Sequence, residues 1–146
     1  MRTLLAAVFL LIAAPALAFE GTYEVRGGNP DRGTGYAGMA YIGKTGEVYQ
    51  ILWVIKNQQY RGLGIVDGDV MAVSVPAAQQ VVLYRKDPKG QLLGRWAVAN
   101  QNVVAPEVLI LKKAGQPDNM APQAPTPQRQ QPQPPKLNNG KPEKAT

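Results

Sequence analysis

Any chemistry in this chain falls to carboxylates, phenols and indoles, because the sequence has no histidine, no cysteine and a single serine, Ser74. A serine or cysteine nucleophile with an imidazole base is excluded, and so is a zinc or copper centre built on imidazole or thiolate. The remaining acid–base candidates are Glu24, Glu47, Asp67, Asp69 and Glu107. Asp67 and Asp69 flank Gly68, where aspartate serves the hydrogen bonds of a turn, and this short stretch lacks the ligand count of a calcium loop. Gly62 and Gly64 lie in a strand-like stretch with no helix after them, so they form no dinucleotide fingerprint. The pattern calls for no cofactor and no metal, and it reads as a binding protein rather than an enzyme.

A binding site would have to be made from aromatic side chains and arginine. The candidate ligand-binding group is Tyr36, Trp53, Tyr60 and Arg61, placed at the mouth of a β-barrel as a concave, largely apolar pocket with a few polar groups. Within Glu47–Ile55 the two-residue strand period puts Tyr49, Ile51, Trp53 and Ile55 on one face. The same period puts Arg95 opposite Trp96, so a buried Trp96 requires an exposed Arg95.

The elements that must hold these residues are short strands separated by turn chemistry. Strands are expected at 21–26, 36–42, 47–55, 59–66, 70–75, 80–85, 92–98 and 107–111, from alternating or β-branched composition. Between them lie the loop Gly27–Gly35, the turn Gly43–Gly46, the pair Lys56-Asn57, Asp67-Gly68, Pro76 and Asp87-Pro88-Lys89-Gly90. No segment carries a useful helical period. Eight short strands without a long crossover predict an all-β, antiparallel eight-stranded meander closed into a calycin-like barrel, with a two-sheet β-sandwich as the alternative. Mid-strand glycines at 38, 62, 64 and 94 are expected to serve the bends of a small barrel.

Three regions are expected along the 146 residues. Residues 1–18 have the marks of a signal peptide: Arg2, an apolar run from Leu4 to Ala14, and Ala16-Leu17-Ala18 as a small-x-small cleavage site, so that the mature chain begins at Phe19. Residues 19–113 form the all-β domain, long enough for one core without disulfides. Residues 114–146 form a Pro/Gln-rich basic tail, expected to be disordered. Of the formal net charge of +6, the span Phe19–Leu111 holds nine Lys/Arg against eight Asp/Glu, while Lys112–Thr146 holds six against two. The basic character belongs to the tail, so nucleic acid is not an expected partner. Arg26, Arg61, Arg85 and Arg95 fall in or at the ends of strands, which argues against a lipid-facing, membrane-spanning barrel.

Residues 21–31 (Gly-Thr-Tyr-Glu-Val-Arg-Gly-Gly-Asn-Pro-Asp), Tyr36-x-Gly38, Gly46-Glu-Val-Tyr-Gln-Ile-Leu-Trp53, Gly62-Leu-Gly-Ile65, Leu83-Tyr84, Leu92-Leu-Gly-Arg-Trp96 and Glu107-Val-Leu109 share an order of motifs with a bacterial family. Over about residues 21–111 the chain resembles uncharacterised exported bacterial small β-domain proteins, some labelled fibronectin-binding. The resemblance brings no catalytic residues, and Pro106-Glu107 departs from a glycine it would place before the last strand. In architecture the meander is similar to lipocalin-like barrels and to small periplasmic barrels that inhibit proteases. The expectation is an exported, periplasmic or secreted, non-enzymatic binding protein of the cell envelope or extracellular matrix, fibronectin-binding-like, with an envelope or host matrix protein as partner. One alternative is a carrier of a small apolar ligand. Another is an inhibitor of an exported hydrolase, using Phe19–Gly21 as an exposed arm.

Overall fold

A computed structural model of the chain describes residues 18–31 and 33–120. Of the expected leader at 1–18 and the expected disordered tail at 114–146, residues 1–17 and 121–146 lie outside the described residues. Eight antiparallel strands, β1 (Gly21–Gly28), β2 (Gly35–Thr45), β3 (Val48–Ile55), β4 (Gln58–Asp67), β5 (Val70–Val75), β6 (Gln80–Lys86), β7 (Leu92–Val98) and β8 (Ala105–Ala114), follow each other in chain order. They close into a barrel through β1 and β8, with Val25 opposite Leu109 and Arg26 opposite Val108. The sandwich alternative is thereby set aside: each of the eight strands pairs with both neighbours, and among the described residues no sheet edge is left open.

Tight turns keep the meander in register. Two-residue connections at Gly46-Glu47, Lys56-Asn57 and Gly68-Asp69 join the closing pairs Thr45–Val48, Ile55–Gln58 and Asp67–Val70. Gly46 and Gly68 both take φ of 60°, the left-handed conformation that such hairpins require. The third turn begins one residue later than expected from Asp67-Gly68, because Asp67 still pairs in β4. The side chain of Asp69 receives Arg85 Nη1 at 3.0 and 3.1 Å, so this carboxylate is engaged with an arginine across the sheet.

Strand alternation sorts the side chains cleanly. Tyr23, Val25, Ala40, Ile42, Ile51, Met71, Tyr84, Leu92 and Leu109 point inward, all at 0–1% exposure. Arg26, Arg61, Arg85 and Arg95 stand exposed on the outside, and Trp96 is buried opposite Arg95 as the alternation requires.

The two ends of the barrel differ. At one end, Phe19 is fully buried and closes the floor, its ring meeting Tyr49 edge-on at a centroid distance of 6.0 Å. Lys86 Nζ sits 5.2 Å from the Phe19 ring centre and Lys44 Nζ 5.4 Å from that of Tyr49, so two cations cover the plug. The Tyr23 hydroxyl donates to the Phe19 carbonyl oxygen at 2.8 Å, and burial, with Glu20 nearby, pushes its pKa up to about 12. Phe19–Gly21 is thus built into the fold and is not an exposed arm.

The fold also runs on past Lys113. Gln116 accepts from the Lys44 backbone N–H at 2.9 Å and donates to the Met120 carbonyl at 2.9 Å, and Pro117 and Met120 are buried. A Cβ at Gly43 would lie 2.8 Å from Met120 Cβ, so that glycine admits this clasp against the outer wall of β2.

Candidate functional site

At the end opposite the floor the barrel opens into a cavity of about 340 Å³, within the range of small-molecule sites. Tyr36 from β2, Trp53 from β3, Tyr60 from β4, Trp96 from β7 and Glu107 from β8 line it. The barrel brings together three of the four candidate residues, Tyr36, Trp53 and Tyr60. Arg61 is not among them: its neighbour Tyr60 points inward, so Arg61 stands exposed on the outer wall, in register with Leu52. Leu52 is an outward residue only 6% exposed, with Tyr41 as its partner on the other side. The stem of Arg61 is placed to help cover it, a packing role for a long amphipathic side chain.

Glu107 organises the site. It is 4% exposed, and three donors from three other strands converge on it. The Tyr36 hydroxyl donates to Oε2 at 2.6 Å, the Tyr84 hydroxyl makes a short hydrogen bond to Oε1, and the Trp53 indole N–H reaches Oε1 at a longer 3.3 Å. Burial pushes the Glu107 carboxyl above its ordinary value, and the three hydrogen bonds pull it back only in part. The same burial, with the carboxylate alongside, drives the phenols of Tyr84 and Tyr36 well above the usual tyrosine range, so both hold their protons as donors. The Trp96 indole N–H lies near enough to the Tyr36 oxygen to ease its ionisation slightly, yet falls short of a hydrogen bond and remains buried and unmatched.

Glycines make this arrangement possible by absence of bulk. A Cβ on Gly27 would lie 2.0 Å from the Tyr36 ring, and one on Gly94 2.5 Å from the Tyr84 ring. Gly27 and Gly94 are the cross-strand partners of Glu107 on its two sides, so each tyrosine crosses a bare stretch of wall to reach the carboxylate. Gly62 leaves room for the far edge of the Trp53 indole: an added Cβ would lie 2.9 Å from Trp53 Cζ3 and 2.7 Å from Val73 Cγ1. The mid-strand glycines at 62 and 94 thus admit the close approach of rings.

From the sequence alone Glu107 is one of five loose acid–base candidates, and nothing there connects Tyr84 with a site. A signal was present: Glu107 shares strand parity with Ala105, Leu109 and Leu111, an inward-facing set interrupted by one charge. Of the other carboxylates, Glu24 is held by Arg26 and Lys112, each at 2.7 Å, and these hydrogen bonds lower its pKa. Glu47 is exposed in a turn, and no cluster of metal-ligating side chains occurs among the described residues. Among those residues no helix is long and apolar enough to cross a membrane. Comparison with protein-family models and with curated proteins finds no match for this chain.

Proposed function

We propose that this is an exported, non-enzymatic binding protein that holds a small ligand in the mouth of its barrel. The observation that carries the reading is the pairing of a plugged floor with a cavity of about 340 Å³ walled by four aromatic side chains and one buried carboxylate. A barrel that needed only a core would fill this end as it fills the other. The carboxylate is saturated on one oxygen by Tyr84 and Trp53, which favours a holding role over proton transfer. Export rests on the leader-like residues 1–18.

Native mass spectrometry of protein recovered gently from its own envelope or medium tests the reading. A small mass released on denaturation, and no longer retained after Trp53→Ala, supports it. A bare chain whose tryptophan fluorescence ignores a broad set of small molecules would overturn it.

A second reading, as a surface binder of an envelope or host matrix protein, has its own support on the outer wall. Leu63 and Ile65 of β4 and Val81 and Leu83 of β6 are 52–63% exposed, and the small residues Ala72 and Ser74 of β5 lie between them. A contiguous exposed apolar strip of this kind marks an interaction surface in many proteins. Loss of a co-purifying protein in Ile65→Lys, with the small ligand retained, would separate this reading from the first.

A further inference from the structure

A binding cavity is selective through the charge it cannot neutralise by itself. Glu107 has three hydrogen-bond donors but no salt-bridge partner among the described residues, and every one of its partners carries a neutral side chain. Trp53 can only donate, and both tyrosine hydroxyls already point their protons at the carboxylate. The hydrogen-bond donors are therefore arranged for the anion, against the burial that disfavours it. A carboxylate offers about four acceptor positions; Oε1 takes two donors and Oε2 one, so Oε2 keeps an acceptor position free on a residue that lines the cavity.

The enclosure around this charge is aromatic. Tyr36, Trp53, Tyr60 and Trp96 line the same space, and aromatic walls favour a cation wherever a ring face is presented, the more so once water is excluded. The described cation at the rim is Lys56, which is exposed and hydrated, so its charge is screened in a way that the buried charge of Glu107 is not.

Resting on the reading of the mouth as a ligand site, we propose that its ligand is an organic ammonium ion: a small amine with an apolar or aromatic body, its N–H donating to Glu107 Oε2 and its charge enclosed by the four rings. A neutral ligand would leave the buried charge uncompensated, and an anionic one would be repelled by it. The unmatched Trp96 N–H offers a second polar contact to an amine that also carries an acceptor oxygen.

The test uses three compounds of similar size on the full chain: phenethylammonium, 2-phenylethanol and 3-phenylpropionate, compared at one ionic strength near neutral pH. Trp53 and Trp96 are the only tryptophans in the chain and both line the cavity, so fluorescence reports on this site. The ammonium ion is expected to bind at least tenfold more tightly than the alcohol, with the carboxylate weakest. Glu107→Gln is expected to remove the preference for the ammonium ion over the alcohol, so that the two bind within about twofold of each other. If the alcohol or the carboxylate binds as tightly as the ammonium ion, the assignment of ligand class falls and the pocket reading stands. If none of the three perturbs the tryptophans, the assignment of ligand class falls, and the pocket reading is decided separately by the native mass and the broad set of small molecules. The ranking on the unmodified chain decides the matter even if Glu107→Gln fails to fold.

Discussion

At the floor of the barrel Phe19, Tyr23, Met71 and Leu92 pack to zero exposure, whereas at the mouth Tyr36 and Tyr60 stay half-buried around open space. Both ends are rich in aromatic side chains, so residue type alone does not separate them. What differs is where the polar ends of those side chains go. Tyr23 turns its hydroxyl to the backbone of the plug, and its ring is free to fill the centre. Tyr36, Tyr84 and Trp53 turn theirs toward one carboxylate on β8, and the hydrogen bonds hold their rings at the wall. The contrast teaches that a small barrel becomes hollow at one end by tethering large residues, not by lacking them.

This contrast can be broken by experiment, most forcefully at the floor. Phe19→Ala removes the plug and is expected to cost about 3–5 kcal/mol, the usual range for a buried phenylalanine, read as a lowered urea midpoint at unchanged slope. Glu107→Ala should come next, at about 3 kcal/mol, since each buried donor left without a partner costs about 1–3 kcal/mol and water entering the mouth recovers part of it. An equal or larger loss at Glu107 would mean that the mouth, not the floor, anchors the fold. Gly94→Ala is expected to cost about 1–3 kcal/mol by driving a methyl group into the Tyr84 ring, and loss of the Tyr84 hydrogen bond should follow as a shift in its ultraviolet absorbance.

The pH dependence sharpens the comparison further. Burial raises the folded pKa of Glu107 above its unfolded value, so the folded state holds this proton more tightly. The stability Glu107 contributes is therefore fullest below the unfolded glutamate range and declines as pH rises toward the raised folded pKa. The stability difference between the unmodified chain and Glu107→Gln should shrink with rising pH across that window, and a growing difference would show the three hydrogen bonds outweighing burial. The smallest effect is expected at Tyr60, whose hydroxyl donates to Gln58 at an exposed site. Tyr60→Phe should change thermal stability by less than about 0.5 kcal/mol, measured calorimetrically, while still altering ligand affinity at the mouth.

Much of the fold was legible because β-strand alternation is a local property. The turns at Gly46, Lys56-Asn57 and Gly68 announce themselves by composition, and the parity of Tyr23/Val25 or Met71/Val73/Val75 places the core. Closure was not local: it depends on β1 meeting β8, a pairing of residues as distant as Val25 and Leu109. The site was legible in part. Tyr36, Trp53 and Tyr60 share inward parity with their strands, and the same rule places Arg61 outside, since adjacent residues cannot both face the interior. The convergence of Tyr36, Trp53 and Tyr84 on Glu107 spans 71, 54 and 23 residues of chain, and no short-range pattern encodes it.

The glycine sockets have a consequence for how such a barrel can diverge. Because Gly27, Gly62 and Gly94 let rings lie against the wall, a single added methyl group there would overlap a ring atom at under 3.0 Å, and the ring or the wall must move to admit it. Substitution at these three positions is thus a coarse adjustment of bore, and the residues that govern what enters the mouth include ones whose side chains are a single hydrogen.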